Sequence, residues 1–549
     1  HLGAVTFGNK PFLNVLTLTP MIYNAPLDIS GCTALSYLRV IINYDYNEEI
    51  MFVKLKNGVY DYEHIDVRIN AGTENMVYIC VDEGNEGLVQ NYGCMIGSYC
   101  TFTPGGNYNT ITGTLGFDTD YNGCNSTDNF AGLTKLIISN GTDTGAVFSN
   151  GSGNYNFHTQ AGTFTITPEF ENNWFAATPA SAAVTLSTVD NSTTMQHFCI
   201  APNGIHPDLE VVMSPVEFEG PGFDAVYKIV YRNKGNQALS GNVVLNYEDS
   251  VLDYIFATPS ASASTAGILT WNFADLNPFE SRNVYVVLNV NGPMETPAVN
   301  IDDVLPFSVT APLTGDETPL DNTFVLNHIV TGSFDPNDIA CLEGGSVSPE
   351  KIGGYLHYNI NFENTGTGAA SFIVVKNMID EEKFDVASFQ VLFASHEVVT
   401  RMTGNKAEFI FDDINLAPAG KGNVLFKIKT LPTLQVNSEV TQQANIFFDY
   451  NWPIETNEAT TVFEVLNTSD FEKDNSVKAL PNPAKGIVTI TADNTVRSIE
   501  MYDIQGRLLE TGIVNDSSTT IDLAARPTGM YFVKVVTDKG MKVEKIVKE

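Results

Sequence analysis

The residues best suited to chemistry lie in the run Asp118-Thr119-Asp120-Tyr121-Asn122-Gly123-Cys124-Asn125-Ser126-Thr127-Asp128. Asp118, Asp120 and Asn122 take positions 1, 3 and 5, and Gly123 at position 6 lets the chain turn sharply enough for their oxygens to converge. Cys124 at position 7 would add a backbone carbonyl. Calcium takes hard oxygens at this spacing. Position 12 is Asn129 rather than Glu, so Asp128 at position 11 has to stand in. Two readings fit the run: a calcium loop without flanking helices, and a bare Asx-rich turn.

Other candidates are weaker. Asp316-Glu317, Asp321, Asp335 and Asp338 gather around one expected domain junction, where a cation could stiffen the joint and loose acidic linker residues would look the same. His396-Glu397 begins like a zinc-protease motif, but Arg401 stands where the second His belongs. Asn150-Gly151-Ser152-Gly153-Asn154 reads as a hairpin turn and not as a nucleophile elbow. There is no phosphate loop, and the expectation is a non-enzyme. Trp174, Trp271 and Trp452 sit in alternating runs that favour core packing; a carbohydrate-stacking platform is the other use of such rings.

The composition bounds the class. The 549 residues imply several domains. Apolar residues make up 43%, mean hydropathy is −0.03, and Thr, Val, Tyr and Phe are abundant, which favours strands. Twenty-nine basic against 64 acidic residues give −35. A field of that sign repels phosphate backbones, so no nucleic acid partner is expected. No apolar run reaches the roughly 18 residues of a membrane span. Seven Cys stand at 32, 80, 94, 100, 124, 199 and 341. Cys80 with Cys94 is a local pairing candidate, and Cys100 with Cys199 would clasp one predicted domain. Spacing alone leaves connectivity open.

Several β domains must position these residues. In residues 1–98, Leu13-x-x-Leu16-x-Leu18 recurs as Leu35-x-x-Leu38-x-Val40 and more faintly as Met76-x-x-Ile79-x-Val81. With Ile29-Ser30-Gly31-Cys32-Thr33-Ala34-Leu35, this resembles a bacterial leucine-rich repeat of roughly 22 residues, reduced to a C-terminal cap. The chain opens at His1 inside this repeat, so further sequence is expected ahead of it. Residues 99–203 open with Ile111-Thr112-Gly113-Thr114-Leu115-Gly116 and continue through Ala161-Gly162-Thr163-Phe164-Thr165-Ile166-Thr167-Pro168. They resemble the SdrD B-like domains of surface adhesins and carboxypeptidase-regulatory-like sandwiches, and B-type domains carry non-helical calcium loops. Residues 204–332 and 333–466 read as two related modules. Val226–Asn236 parallels Leu356–Gly366, each an alternating strand running into an Asn-x-Gly turn. Both resemble Ig-like repeats of bacterial surface proteins. The second, from Ser333-Phe334-Asp335-Pro336-Asn337-Asp338, resembles a module of unknown role common before type IX sorting tails. Residues 467–478 are polar and read as a linker.

Residues 479–549 carry the most specific pattern. Pro481-Asn482-Pro483-Ala484-Lys485-Gly486 opens it. Tyr502-Asp503-Ile504-Gln505-Gly506-Arg507 and Gly529-Met530-Tyr531-Phe532-Val533-Lys534-Val535 follow, and Lys545-Ile546-Val547-Lys548-Glu549 closes it. Period-two apolar residues broken by Gly, Pro and Asp-Lys-Gly turns predict a small half-buried antiparallel sandwich. The order resembles the type A C-terminal sorting domain of type IX secretion in Bacteroidota. The resemblance implies export through the periplasm to the cell surface, with an outer-membrane translocon and a shuttle protein as partners. It also implies a signal peptide ahead of His1. Lys534, Lys542, Lys545 and Lys548 then form a recognition edge, or merely guard an edge strand against aggregation.

The expectation is therefore a mainly β chain: tandem Ig-like β-sandwiches between a leucine-rich-repeat C-terminal cap and a small β-sandwich sorting domain. Its expected work is that of a surface adhesin or structural stalk, including a part in gliding motility, with calcium as cofactor and an unknown protein or glycan ligand. The alternatives are the accessory end of a larger secreted enzyme, and cargo held in the outer-membrane translocon complex.

Overall fold

The computed structural model describes residues 5–22, 26–43, 51–70, 77–88, 95–332, 335–465, 474–504, 507–524 and 526–549. Strands dominate it, as the β-branched and aromatic composition requires. The chain divides into two compact units, His1–Glu464 and Val465–Glu549. Most of the expected linker, with Ser333, Phe334, Met76, Cys94 and Gly506, lies outside the described residues.

The first unit begins with two parallel ladders. Val15–Ile22, Tyr37–Asn43 and His64–Asn70 pair in parallel, with Leu16 beside Leu38 and Leu38 beside Ile65. Leu27 pairs with Val53, Val53 with Ile79 and Ile79 with Ile96 in the second ladder. Leu16, Leu27, Leu38, Val40, Val53 and Ile79 fill the space between them. The third sequence copy is therefore displaced. Ile79 belongs to the second ladder, and Ile65 is the third rung of the first. A buried parallel strand shows the same apolar spacing on either side of a coil, so spacing could not separate the two. Asp82 ties this region to the next: Oδ2 accepts from the amides of Asn57 (2.9 Å) and Gly58 (2.8 Å), and Oδ1 from that of Gly105 (3.0 Å). Gly105 is required there, because a Cβ would lie 2.2 Å from Asp82 Oδ1.

Residues 99–203 form a sandwich around Ile111, Leu115, Phe117, Leu136, Ile166, Phe198 and Ile200. Asn109–Phe117 alternates buried and half-buried along its whole length, as a strand with one covered face must. The disulfides are Cys80–Cys100 and Cys124–Cys199, which overturns both expected pairings. Cys100 follows the last rung of the second ladder, and Cys199 lies on a strand beside Asn109–Phe117, whose end leads to Cys124. Among the described residues Cys32 and Cys341 are unpaired.

The next two segments repeat one sandwich. Leu209–Phe218, Asp224–Asn233, Ser281–Val290 and Leu252–Thr258 form a sheet in that order; Ile339–Cys341, Tyr355–Glu363, Lys421–Thr430 and Phe384–Ala394 form its counterpart. The Asn-x-Gly turns have equivalent roles. Asn233 Nδ2 donates to the carbonyls of Gln237 (2.7 Å) and Leu276 (2.8 Å). Asn364 Nδ2 donates to those of Gly368 (2.8 Å) and Leu416 (2.8 Å).

The sandwiches are joined rather than strung apart. Thr144–Phe148 pairs antiparallel with Val399–Thr403, so one sheet runs from residues 99–203 into the last sandwich of the unit. Ala146 and Phe148 enter its core, while Leu342, Leu392 and Leu425 enter the core of the sandwich before it. Its Tyr450 ring packs on Phe52 and Tyr78 of the ladders at 4.6 and 5.2 Å. The last sandwich is thus the body on which the other three regions dock.

The second unit is a sheet in which Ile487–Tyr502 pairs with both Leu508–Asp522 and Gly529–Thr537, and Gly529–Thr537 pairs with Gly540–Lys548. Val488, Ile490, Val496, Ile499, Met501, Leu523, Tyr531, Val533, Val535 and Ile546 make its core.

Candidate functional site

The acidic loop leaves Asn109–Phe117 and folds around its first carboxylate. Asp118 is buried at 5% exposure; Oδ1 accepts from the Asn122 amide (3.2 Å) and Oδ2 from the Gly123 amide (2.9 Å). Gly123 has φ 93°, in the left-handed region where glycine carries no steric penalty. Asp120 accepts from the Asn122 amide (3.2 Å) and side chain (2.6 Å), and Asp128 from the Asn125 amide (2.8 Å). One oxygen each of Asp118, Asp120 and Asp128 lies within 4.8 Å of the others, so these three carboxylates can hold a metal ion. Asn122 is turned aside, because its Oδ1 accepts from Asn125 Nδ2 (2.9 Å). Cys124 anchors the loop through its disulfide.

The second acidic group is regrouped by the fold. Asp316 and Asp321 converge with Asp208, which sequence reading missed because about a hundred residues separate it from them. A lysine already serves this cluster: Lys234 Nζ lies 3.3 Å from Asp208 Oδ2 and also contacts Asp321. Burial, opposed by Lys234, pushes Asp208 up to about 6. Glu317 pairs with His206 (2.7 Å), Asp335 accepts from the Asn337 amide (2.9 Å), and Asp338 accepts from Asn361 Nδ2 (2.8 Å). Of the tryptophans, Trp271 is core, Trp174 stacks on His206, and Trp452 is half exposed.

In the second unit most motif residues hold the fold together. Asn482, between Pro481 and Pro483, donates to the Lys545 carbonyl (2.5 Å) and accepts from the Val547 amide (2.9 Å), stapling the opening turn to the last strand. The Gly486 carbonyl accepts from the Leu523 amide (3.1 Å). Asp503 binds Arg507 through its Nε (2.6 Å) and its amide (3.0 Å). Tyr531 Oη donates to the Pro527 carbonyl (2.7 Å). Gly529 begins the strand that carries Tyr531. Tyr502 Oη and Lys534 Nζ share Glu500, at 2.6 and 3.1 Å. The basic edge is narrower than its sequence suggests. Lys548 is buried, with Nζ on the Lys485 carbonyl, whereas Lys545 is exposed.

Comparison with known proteins bears on both units. Residues 335–462 match a domain of unknown function, DUF7619. Residues 478–549 match the secretion system C-terminal sorting domain. None of the curated proteins matches this chain. Similar solved structures include a DUF3823 family protein from Parabacteroides merdae, 13% identical, covering 41% of this chain and 98% of that one at TM-score 0.16. BcpA, the major pilin subunit of Bacillus cereus, is 8% identical and covers 80% of this chain and 92% of that one at TM-score 0.14. The N-terminal domain of the Streptococcus gordonii adhesin Sgo0707 is 9% identical and covers 60% of this chain and 82% of that one at TM-score 0.19. These overlaps are too low to carry any property across. Among the described residues, no helix is long and apolar enough to cross a membrane. Residues 478–549 are thus a secretion system C-terminal sorting domain, and the chain is a type IX secretion substrate, bound for the cell surface or the medium.

Proposed function

We propose that residues 1–464 are a non-enzymatic adhesive or structural passenger and residues 478–549 its address, read by the outer-membrane translocon and shuttle protein of type IX secretion. The observation that carries this reading is the sorting domain itself, matched over its length. Continuous pairing of Thr144–Phe148 with Val399–Thr403 supports the structural half, because a passenger joined through shared sheets resists pulling and shear as one body. The parallel ladders stand as a leucine-rich-repeat end, and calcium as the cation of the Asp118 loop.

The test is a fluorescent reporter carrying a signal peptide and residues 478–549, expressed in a Bacteroidota host with and without a working translocon. Signal outside the cell only with the translocon is expected. Reporter held in the periplasm of both strains would overturn the address. Cells displaying the passenger should also bind protein- or glycan-coated wells better than cells displaying the reporter alone. Display without such binding would remove adhesion and leave structure.

A further inference from the structure

The two related sandwiches meet through their four-stranded sheets: Arg232 Nη1 donates to the Val391 carbonyl (3.1 Å) and Ser281 Oγ to the Leu392 carbonyl (3.1 Å). One contact across this interface sets an amine against an amide. Lys228 on Asp224–Asn233 and Asn423 on Lys421–Thr430 are 1% and 2% exposed, and Lys228 Nζ donates to Asn423 Oδ1. The two residues stand 195 apart in sequence. Tyr285 of the first sandwich and Phe393 of the second turn their ring faces to Nζ, with centroids at 4.8 and 4.5 Å, so the amine is confined from both sides. No carboxylate is paired with Lys228 among the described residues, whereas Lys427 at the same interface has Glu210 at 2.6 Å. Burial therefore acts on Lys228 unopposed and pushes it from 10.5 down to about 7. Much of the amine is then neutral at neutral pH, with its electron pair free to attack.

The amide is held as firmly. The Asn423 backbone N–H donates to Ser395 Oγ (2.8 Å), and its Nδ2 donates to Asn359 Oδ1 (2.7 Å). Asn359 Nδ2 donates in turn to Asn361 Oδ1 (2.8 Å), and Asn361 Nδ2 to Asp338 Oδ1 (2.8 Å). Both intervening amides thus aim their oxygens toward Asn423 Nδ2, with a carboxyl group behind them. Dipoles aligned in this way stabilise positive charge on that nitrogen as it departs. Free amines and amides react very slowly, but fixing the two groups in place can be worth an effective concentration of roughly 10⁵–10⁸ M. We propose that Lys228 and Asn423 join in an isopeptide bond that ties the two sandwiches covalently. The neutral Nζ attacks Cγ, and the Nζ–Cγ bond forms as the carbonyl electron pair moves onto Oδ1. One proton passes from Nζ to Nδ2, the carbonyl re-forms, the Cγ–Nδ2 bond breaks, and ammonia leaves. Nothing is oxidised or reduced, and no other reactant is consumed. The product is a neutral secondary amide, which removes a buried amine that lacks a counter-charge. Its use as a mechanical tie rests on the structural reading above, but the bond is measured on the chain itself and does not depend on export.

The experiment is mass spectrometry of the full chain, intact and after digestion, both freshly purified and after incubation at about pH 9, where the amine is neutral. Loss of ammonia should lower the intact mass by about 17 Da from that of the disulfide-bonded sequence. Digestion should yield one branched peptide joining Lys228 to Asn423. Lys228→Met and Asn423→Ala should each keep the full mass. If a variant fails to fold, the branched peptide of the parent chain decides alone. A parent chain that keeps its full mass after the incubation would overturn the bond and leave a hydrogen bond in its place. So would the same mass loss traced to another peptide, such as an Asn-Gly step closed to a succinimide, or found in a folded Lys228→Met chain.

Discussion

The Asp118 loop was legible from sequence because its donors are close in the chain, and spacing alone brings three of its carboxylates together. Calcium added to the chain should raise the melting temperature of the first unit, and a chelator should reverse this. Bringing three carboxylates within 4.8 Å without a cation costs mutual repulsion that bound metal removes. In Asp120→Asn the calcium-dependent rise should shrink; an equal rise would assign the ion elsewhere. His357 was not legible, because its partners lie on other strands. Its side chain is 12% exposed, with Nδ1 2.6 Å from Glu343 and Nε2 3.9 Å from Glu210. Burial alone would lower its pKa, but the two carboxylates raise it from 6.5 to about 9. Folding therefore favours its protonated form. That contribution is full below 6.5 and is lost as pH rises through about 9. Glu343, held low by His357 against burial, contributes above 4.5 and loses that contribution as pH falls. Stability of the first unit should thus fall between pH 6.5 and 9, by on the order of 3 kcal/mol. His357→Gln should flatten this limb in melting curves taken across that range; an unchanged slope would mean that another group titrates there.

Element patterns were legible where local periodicity decides them. The run Ile111–Gly116, read in sequence as the opening of its domain, lies inside the strand Asn109–Phe117, and the repeated Asn-x-Gly turn marked the two related sandwiches. What the turn does became visible only with its partners, since Leu276 and Leu416 sit about 40–50 residues downstream. Each Asn satisfies two carbonyls that a shorter side chain would leave open. Asn233→Ala and Asn364→Ala should therefore destabilise the first unit by similar amounts, about 2–3 kcal/mol each. Urea denaturation measures this. A costly change at one site beside a silent one at the other would mean that the duplication is topological and the brace is not shared. The misplaced Met76–Val81 copy has the opposite origin. Its apolar spacing is real, but two ladders in one coil bury the same pattern, and only pairing register tells them apart.

Arrangement of the whole first unit was the least legible level, because docking is decided by residues that look unremarkable in a row. Glu210 and Lys427 are an example. They come from different sandwiches, are 3% and 2% exposed, and meet at 2.6 Å. Each is buried only because the other is there. Lys427 pulls Glu210 well below the ordinary carboxylate range despite burial. Removing one partner strands a charge: Glu210→Gln should cost about 3 kcal/mol, although Glu171 at 3.8 Å offsets part of this. Removing both in Glu210→Leu with Lys427→Met should cost less than the sum of the two single changes, because neither member of the pair is left without the other. The pair also tests whether the sandwiches unfold together. In the parent chain the interface cores should give the first unit one calorimetric transition, and Glu210→Gln should lower it as a whole. Splitting into two transitions, with the Glu210 sandwich melting alone, would show that the pair held neighbours that are otherwise independent. Strictly additive single changes would show that the two charges do not act as a pair.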